Sequence, residues 1–256
     1  MPASDARKAA IVTGGGRGIG RAISLRMAKE GPVIIVGRTG ADLAATAREI
    51  EAAGGTAASV AGDVRDPATA AAAVRTALSR GWKVRSLVCN AGIGTSGPTA
   101  EFAMDTWRDI FAVNVEGAMH FVQSCLPSML DAGGGTICLM SSIAGLKGYA
   151  YAAAYCASKH ALVGLARSLA REYGSRGIAA VPICPGFVEG DMTDRTVRGV
   201  MARRGVSEDE ARARVAKASP QRRILPPEEV AEAVAFACAG AVPSLSGNPL
   251  TLSGGE

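Results

Sequence analysis

Tyr155 and Lys159 stand four residues apart in Tyr155-Cys156-Ala157-Ser158-Lys159, a spacing that puts both side chains on one face of a helix, one turn apart. A free phenol, with a pKa of about 10, is a poor acid or base at neutral pH, but a neighbouring ammonium favours the phenolate and lowers that value. A Tyr tuned in this way can give a proton to a carbonyl oxygen or take one from an alcohol. Taken alone, the pair also reads as two surface side chains, because the spacing recurs by chance. Its surroundings argue for chemistry. Ser141-Ser142-Ile143-Ala144-Gly145 follows an apolar strand-like run and places a hydroxyl at the carboxyl end of that strand, where ligands of open α/β sheets bind.

A second group of residues is suited to holding a phosphate. Thr13-Gly14-Gly15-Gly16-Arg17-Gly18-Ile19-Gly20 lies between an apolar run and a helical pattern, where backbone N–H groups and the helix dipole attract an anion. Gly14 suits the turn, Gly18 the close approach of a phosphate, and Gly20 tight packing of helix on strand. The spacing is GxxxGxG rather than GxGxxG, so a plain glycine-rich turn is the competing reading. The next strand ends Val36-Gly37-Arg38 without the acid that would bond an adenosine ribose 2′-OH. Arg38 and Arg17 could together neutralise a 2′-phosphate, which argues for NADP(H) over NAD(H); two solvated arginines are the alternative.

The elements that must position these groups alternate. Ala9 to Val12, Val33 to Val36, Ala58 to Ala61, Ser86 to Cys89, Thr136 to Met140 and Ile178 to Ile183 read as buried strands, with Asn248 to Leu252 as a last one. Helical patterns separate them: Arg21 to Glu30, Leu43 to Ala52, Pro67 to Ser79, a single long helix from Trp107 to Leu130, and Ala152 to Tyr173. Ser207 and Glu210 form an S-x-x-E cap for a short helix, and Pro226-Pro227 opens another. Continuous apolar strands alternating with helices imply an α/β fold, a single doubly wound Rossmann-type domain over residues 1–256 with a central parallel sheet flanked by helices on both faces. Asp63-Val64 and Asn90-Ala91-Gly92 also follow strands, so the unusual residues gather at one edge of that sheet.

Composition sets the remaining bounds. The 32 glycines among 256 residues show no G-X-Y period, and 48% hydrophobic residues are too many for a disordered chain. A net charge of +5 is spread along the chain, without the basic stripe and interleaved aromatics of a nucleic-acid binder. The six cysteines, Cys89, Cys125, Cys138, Cys156, Cys184 and Cys238, have no CxxC or His-pair spacing, so they read as reduced thiols of a cytoplasmic protein rather than a zinc site or disulfide framework. No metal is expected. Met1 to Ala10 lacks a signal h-region and no apolar run approaches membrane-spanning length, so no membrane association is expected.

Over nearly its whole length the sequence resembles the classical short-chain dehydrogenase/reductase family. TGxxxGxG appears as Thr13 to Gly20, NAG as Asn90 to Gly92, the active-site Asn as Asn114, the catalytic Ser as Ser142, thirteen residues before Tyr155, YxxxK as Tyr155 and Lys159, and the PG motif as Pro185-Gly186. The resemblance implies Tyr155 as general acid in reduction and general base in oxidation, and Ser142 as hydrogen-bond donor to the substrate oxygen. It implies Lys159 on the nicotinamide ribose hydroxyls, lowering the Tyr155 pKa, and Asn114 holding a water that relays protons from Lys159 to solvent. Cofactor contacts are implied at Gly14, Gly16, Arg17, Gly18, Ile19, Gly20, Arg38, Asp63, Val64, Asn90, Ala91, Gly92, Pro185, Gly186 and Val188. The chain departs from the family pattern at Gly190, where many relatives carry a Thr that contacts the nicotinamide carboxamide. It departs also at Cys89, Arg85 and Val181, and the Gly31 to Arg38 stretch is one residue shorter than usual.

Residues 187–225 correspond to the family's variable substrate-binding lid and hold nine basic residues against six acidic ones. Such a lid could attract the phosphates of coenzyme A or an acidic carrier protein, though a solvated charged helix would look the same. The stretches Tyr155 to Leu165 and Cys184 to Glu189 are most similar to 3-oxoacyl thioester reductases and polyketide ketoreductases. Two other readings stay open: an NAD-dependent dehydrogenase of a secondary alcohol or 3-hydroxyacyl-CoA, and a dinucleotide-binding sensor without catalysis. The Trp107 to Leu130 and Ala152 to Tyr173 helices resemble those that pair subunits in family tetramers or dimers, which implies a homo-oligomer.

Overall fold

Short β-branched and small-residue runs that cannot cover both of their own faces find cover by pairing as strands between two layers of helices. The computed structural model describes residues 7–256; the first six residues of the expected domain, and with them most of the stretch read for a leader, lie outside the described residues. In chain order the elements are β1 (Lys8–Thr13), α1 (Gly18–Met27), β2 (Val33–Gly37), α2 (Gly40–Ala52), β3 (Ala57–Ala61), α3 (Pro67–Ser79), β4 (Lys83–Cys89), α4 (Met104–Phe111), α5 (Gly117–Asp131), β5 (Gly135–Met140), α6 (Ala153–Tyr173), β6 (Ile178–Pro185), α7 (Asp191–Arg204), α8 (Glu208–Ala216), α9 (Pro227–Cys238) and β7 (Leu250–Leu252).

The seven strands form one sheet in the order β3-β2-β1-β4-β5-β6-β7, and every pairing is parallel. Successive residues of a strand serve opposite cores. Ile11, Ile34 and Val36 face a core with Phe121, Met129, Leu162 and Leu169 of α5 and α6. Val12, Val33 and Ile35 face the other, with Ile23, Leu43, Ile50, Val230 and Val234 of α1, α2 and α9. The strand order reverses between β1 and β4, the point at which a doubly wound sheet opens a crevice beyond the carboxyl ends of its strands.

One expected element is corrected. The single helix expected over Trp107 to Leu130 is two helices joined by a π turn, Ala112–Glu116, with Asn114 at its centre. Asn114 is buried and its side chain is tied to the loop after β4, so a long-range contact interrupts the helical repeat that the local pattern predicts.

The charged stretch after β6 folds as α7 and α8 around a small core of its own, Val197, Ala211 and Val215. Ser207 caps α8 by accepting a hydrogen bond from the Glu210 N–H at 3.3 Å, as the S-x-x-E pattern predicts. No helix of the described residues is long and apolar enough to cross a membrane.

Candidate active site

Three elements bring the acid–base residues together. Ser142 leaves β5 in an extended conformation and starts a turn, its Oγ accepting from the Ala144 N–H at 3.1 Å. Tyr155 and Lys159 come from the first two turns of α6, one above the other as the spacing requires. Asn114 comes from the π turn behind them. Ser142, Tyr155 and Lys159 line a cavity of about 640 Å³ whose other walls include Asn90, Gly92, Phe187 and Thr193.

The Lys159 ammonium is buried, donates to the Met140 carbonyl at 2.6 Å, and lies 5.5 Å from the centre of the Tyr155 ring. Burial lowers its pKa to about 8. Burial also raises that of Tyr155 to about 12, while the neighbouring Ser142 hydroxyl pulls it down. The lowering of the phenol by Lys159 that the pairing implies is therefore not what the folded chain alone produces. Desolvation dominates the phenol, and the ammonium lies over its ring.

Asn114 accepts from the Ile93 N–H at 2.8 Å, donates back to the Ile93 carbonyl at 2.9 Å, and donates to Ser158 Oγ at 3.0 Å. Both polar atoms of its side chain are thus engaged in holding the site's back wall. Ser158 has no role in the sequence reading, yet it bridges Asn114 to the Tyr155 carbonyl, which it reaches at 2.8 Å. Ser141 likewise anchors α6, donating to the Lys159 carbonyl at 2.8 Å. A third unpredicted group is Tyr149 in the cavity wall, whose hydroxyl donates to Glu256 at 2.6 Å while Lys147 pairs with the same carboxylate at 2.7 Å. Glu256 is more than a hundred residues away in the chain, so no local pattern could have indicated it.

The glycine loop fits a dinucleotide. A Cβ on Gly20 would run into the Gly14 carbonyl, so only glycine lets α1 start this close to β1. No side chain caps α1 and its first turn carries no acid, which leaves its N–H groups and dipole for an anion. Thr13 Oγ1 accepts from the Asn90 and Ala91 N–H groups at 2.9 and 3.0 Å, and the Asn90 side chain donates to the Thr13 carbonyl at 3.0 Å, locking the first loop to the NAG loop. Ile19, Pro185, Gly186 and Val188 join the same cavity wall. Gly16 packs against α2 at Asp42 and Leu43.

At the far end of the crevice Arg38 directly follows β2 and is exposed, and its charge helps hold the Asp63 carboxyl below the usual range, behind the larger effect of Arg65, which pairs with Asp63 at 2.7 Å. Val64 is buried. Arg17 is placed differently from the sequence expectation. Its Nη1 pairs with Asp191 at 2.9 Å, joining the glycine loop to the first turn of α7. Both side chains are about two-thirds exposed, so the pair is weak and readily exchanged.

Gly190 is explained by its backbone. At φ +133° it occupies a region that a side chain with a Cβ rarely adopts, and it is the residue from which α7 begins. A Thr here would be strained. Thr193, one turn on, is buried, lines the cavity, and donates its hydroxyl to the Val188 carbonyl at 2.6 Å. The short Gly31 to Arg38 connection is accommodated by direct pairing of the Ala10 N–H with the Pro32 carbonyl at 2.9 Å. Among the described residues no group of three His, Cys, Asp or Glu side chains is placed to hold a metal ion.

Comparison with known proteins agrees with this geometry. A model of the short chain dehydrogenase family matches residues 8–200. The chain is 34% identical to a putative ketoacyl reductase of Streptomyces coelicolor, over 99% of this chain and 98% of the relative. It is 32% identical to a 3-oxoacyl-[acyl-carrier-protein] reductase of Staphylococcus aureus, over 97% of each. Among solved structures, an actinorhodin polyketide ketoreductase variant with NADPH superposes with a TM-score of 0.93 at 34% identity, covering 99% of this chain and 98% of that one. An L-sorbose reductase of Gluconobacter frateurii, complexed with NADPH and L-sorbose, gives a TM-score of 0.91 at 29% identity, covering 100% and 98%. A doubly wound sheet, a glycine loop at its switch point and a Ser, Tyr and Lys at its carboxyl edge are thus joined by similarity along almost the whole sequence, and the chain belongs to the short-chain dehydrogenase family.

Proposed function

We propose that this protein is an NADP(H)-dependent reductase that converts a ketone to a secondary alcohol, with a 3-oxoacyl thioester or polyketide-like ketone as substrate. One observation carries the reading: Ser142, Tyr155 and Lys159 converge in a cavity of about 640 Å³ that reaches Ile19 at the end of the glycine loop. NADPH, when bound, supplies the hydride to the carbonyl carbon. The Gly14 to Gly20 loop would hold its phosphates, Arg38 its 2′-phosphate, joined by Arg17 once released from Asp191, and Tyr155 and Lys159 its nicotinamide ribose. Asp63, Val64, Asn90, Ala91, Gly92, Pro185, Gly186 and Val188 complete the crevice. NADPH or NADP in solved neighbours supports this choice over NAD(H).

The residues of the chain do the proton chemistry. Ser142 donates a hydrogen bond to the substrate oxygen and fixes the carbonyl at the phenol. Tyr155, neutral because burial holds its pKa at about 12, gives its proton to that oxygen as negative charge develops there. Lys159, with a pKa of about 8, is poised near neutrality to return a proton to the site, and Asn114 would hold the water that connects it to solvent. Six cysteines without a disulfide, five of them buried and Cys238 partly so, fit a reducing, cytoplasmic setting, and α5 and α6, like the helices that pair subunits in the family, are the faces assigned to a homodimer or homotetramer.

The test is loss of NADPH absorbance with a panel of 3-oxoacyl thioesters and simple ketones, for wild type and Tyr155→Phe. The expected result is thioester turnover that falls on the order of 10²- to 10⁴-fold in the variant, with NADPH binding kept. Turnover of simple ketones alone sinks the substrate class. Tight NADPH binding with no turnover of any carbonyl leaves a sensor instead.

A further inference from the structure

The charge of the lid is not evenly spread once the chain is folded. Two of its acids, Glu189 and Asp194, are consumed by Arg212, at 2.6 and 2.8 Å, and a third, Asp191 in the first turn of α7, pairs with Arg17 at 2.9 Å until the cofactor takes that arginine. The other three, Glu208, Asp209 and Glu210, sit in the first turn of α8, where the helix dipole favours them. What remains is concentrated elsewhere. Arg203 and Arg204 in the last turn of α7, with Arg214 and Lys217 at the end of α8, line a cleft of about 430 Å³ whose fifth wall is Val200. Among the described residues none of these four cations has a carboxylate within ion-pair distance. Arg203 lines both this cleft and the catalytic cavity. Its guanidinium lies back along α7, where a Cβ on Gly199 would come within 3.3 Å of it.

Four unpaired cations around one cleft repel one another, and such a group is stabilised by an anion of comparable charge. The distance to the chemistry is set by α7. Met192, Thr196, Gly199 and Arg203 all line the catalytic cavity, so the lid helix is a wall running from the reacting end to the cationic end, about 16 Å from Met192 to Arg203 at 1.5 Å per residue. An extended arm of two amides and a pantoyl group spans on the order of 15 Å.

We propose that this cleft receives the phosphates of coenzyme A, so that the substrate of the reductase is a 3-oxoacyl-CoA whose pantetheine arm lies along α7. The inference rests on the ketone-reductase reading and names its substrate carrier. Charge selects coenzyme A over a carrier protein's prosthetic arm. The pyrophosphate and the ribose monophosphate together carry roughly four negative charges at neutral pH, against one for a phosphodiester, and four cations await them. Arginine forks suit the non-bridging oxygens, and the exposed cleft leaves the adenine in water.

The experiment compares a 3-oxoacyl-CoA with the same acyl group on N-acetylcysteamine, which keeps the thioester and one amide but no phosphate, and on an acyl carrier protein. The proteins are wild type, Arg204→Gln/Lys217→Gln and Arg204→Glu/Lys217→Glu, both positions lying outside the catalytic cavity. Glutamine removes charge without placing an acid at the end of α7, and matching melting temperatures check that the lid stays folded.

Expected is a kcat/KM for the CoA thioester at least tenfold lower in the glutamine pair and lower again in the glutamate pair. The N-acetylcysteamine thioester should stay within twofold, and the CoA advantage of wild type should shrink as salt is raised. Equal loss on both thioesters, or no loss on either, overturns the proposal. A loss confined to the same acyl group on an acyl carrier protein overturns it in favour of a carrier-protein dock. If wild type reduces neither thioester, the thioester-substrate reading fails, and calorimetric titration with free coenzyme A still decides the cleft. Binding that weakens at least tenfold in the glutamine pair sustains it, and no binding to wild type ends it.

Discussion

Replacing Lys159 by Met should make the protein more stable and inactive at once. The ammonium is fully buried and its pKa falls from 10.5 to about 8, a depression of about two and a half units that costs the folded state roughly 3 kcal/mol at neutral pH. Met has nearly the same volume and no charge, so the packing around β5 and α6 is kept. Against that gain stands the hydrogen bond from Lys159 to the Met140 carbonyl, 2.6 Å long, whose loss costs about 1 kcal/mol. The variant should therefore be about 2 kcal/mol more stable at pH 7, raising Tm by about 4 to 8 °C for a chain of this size.

The pH dependence carries the stronger test. Between pH 8 and 10.5 the unfolded chain binds the Lys159 proton and the folded one does not, so wild-type stability rises with pH across that window. The variant lacks this contribution, and its advantage should vanish by about pH 10 and turn into a deficit of about 1 kcal/mol above it. Tyr155, whose pKa is raised to about 12, lowers the stability of both proteins alike above pH 10, and so drops out of the difference. Urea unfolding without cofactor, followed by circular dichroism from pH 7 to 11, measures it, since bound ligand would add its own linkage. A variant no more stable than wild type at pH 7, or a difference that does not move between pH 8 and 10.5, refutes the reasoning.

Two further outcomes follow from the crevice. Arg38→Asp should lower kcat/KM with NADPH about 10- to 100-fold while that with NADH changes little, because the exposed guanidinium at the end of β2 is exchanged for a charge that repels a 2′-phosphate; an unchanged NADPH to NADH ratio in parallel assays would remove Arg38 from the cofactor site. Gly190→Thr forces a Cβ onto a backbone at φ +133° and should cost about 1 to 3 kcal/mol in the lid, seen as a raised KM and faster proteolysis within α7, whereas a variant with unaltered protease resistance would show that the lid start is not strained.

Much of the scaffold was legible because its signals are local. The runs Ile11-Val12, Val33 to Val36 and Ile137 to Leu139 read as buried strands, Pro67 and Pro227 mark helix starts, and Ser142 follows a strand with Tyr155 and Lys159 on the next helix, so the order of elements alone points to one sheet edge for all three. The four-residue step from Tyr155 to Lys159 fixes their common face by helix geometry alone. What tertiary structure decided are quantities that depend on distant neighbours. The π turn at Asn114 comes from its tie to Ile93, the lid contact of Arg17 from Asp191, and the wall at Tyr149 from Glu256. The same holds for charge. A sequence shows an ammonium four residues from a phenol and nine basic residues in a lid. Burial then sets the pKa values of Tyr155 and Lys159, and packing of α7 against α8 leaves four cations around one cleft, because solvation and long-range contact act through space and not along the chain.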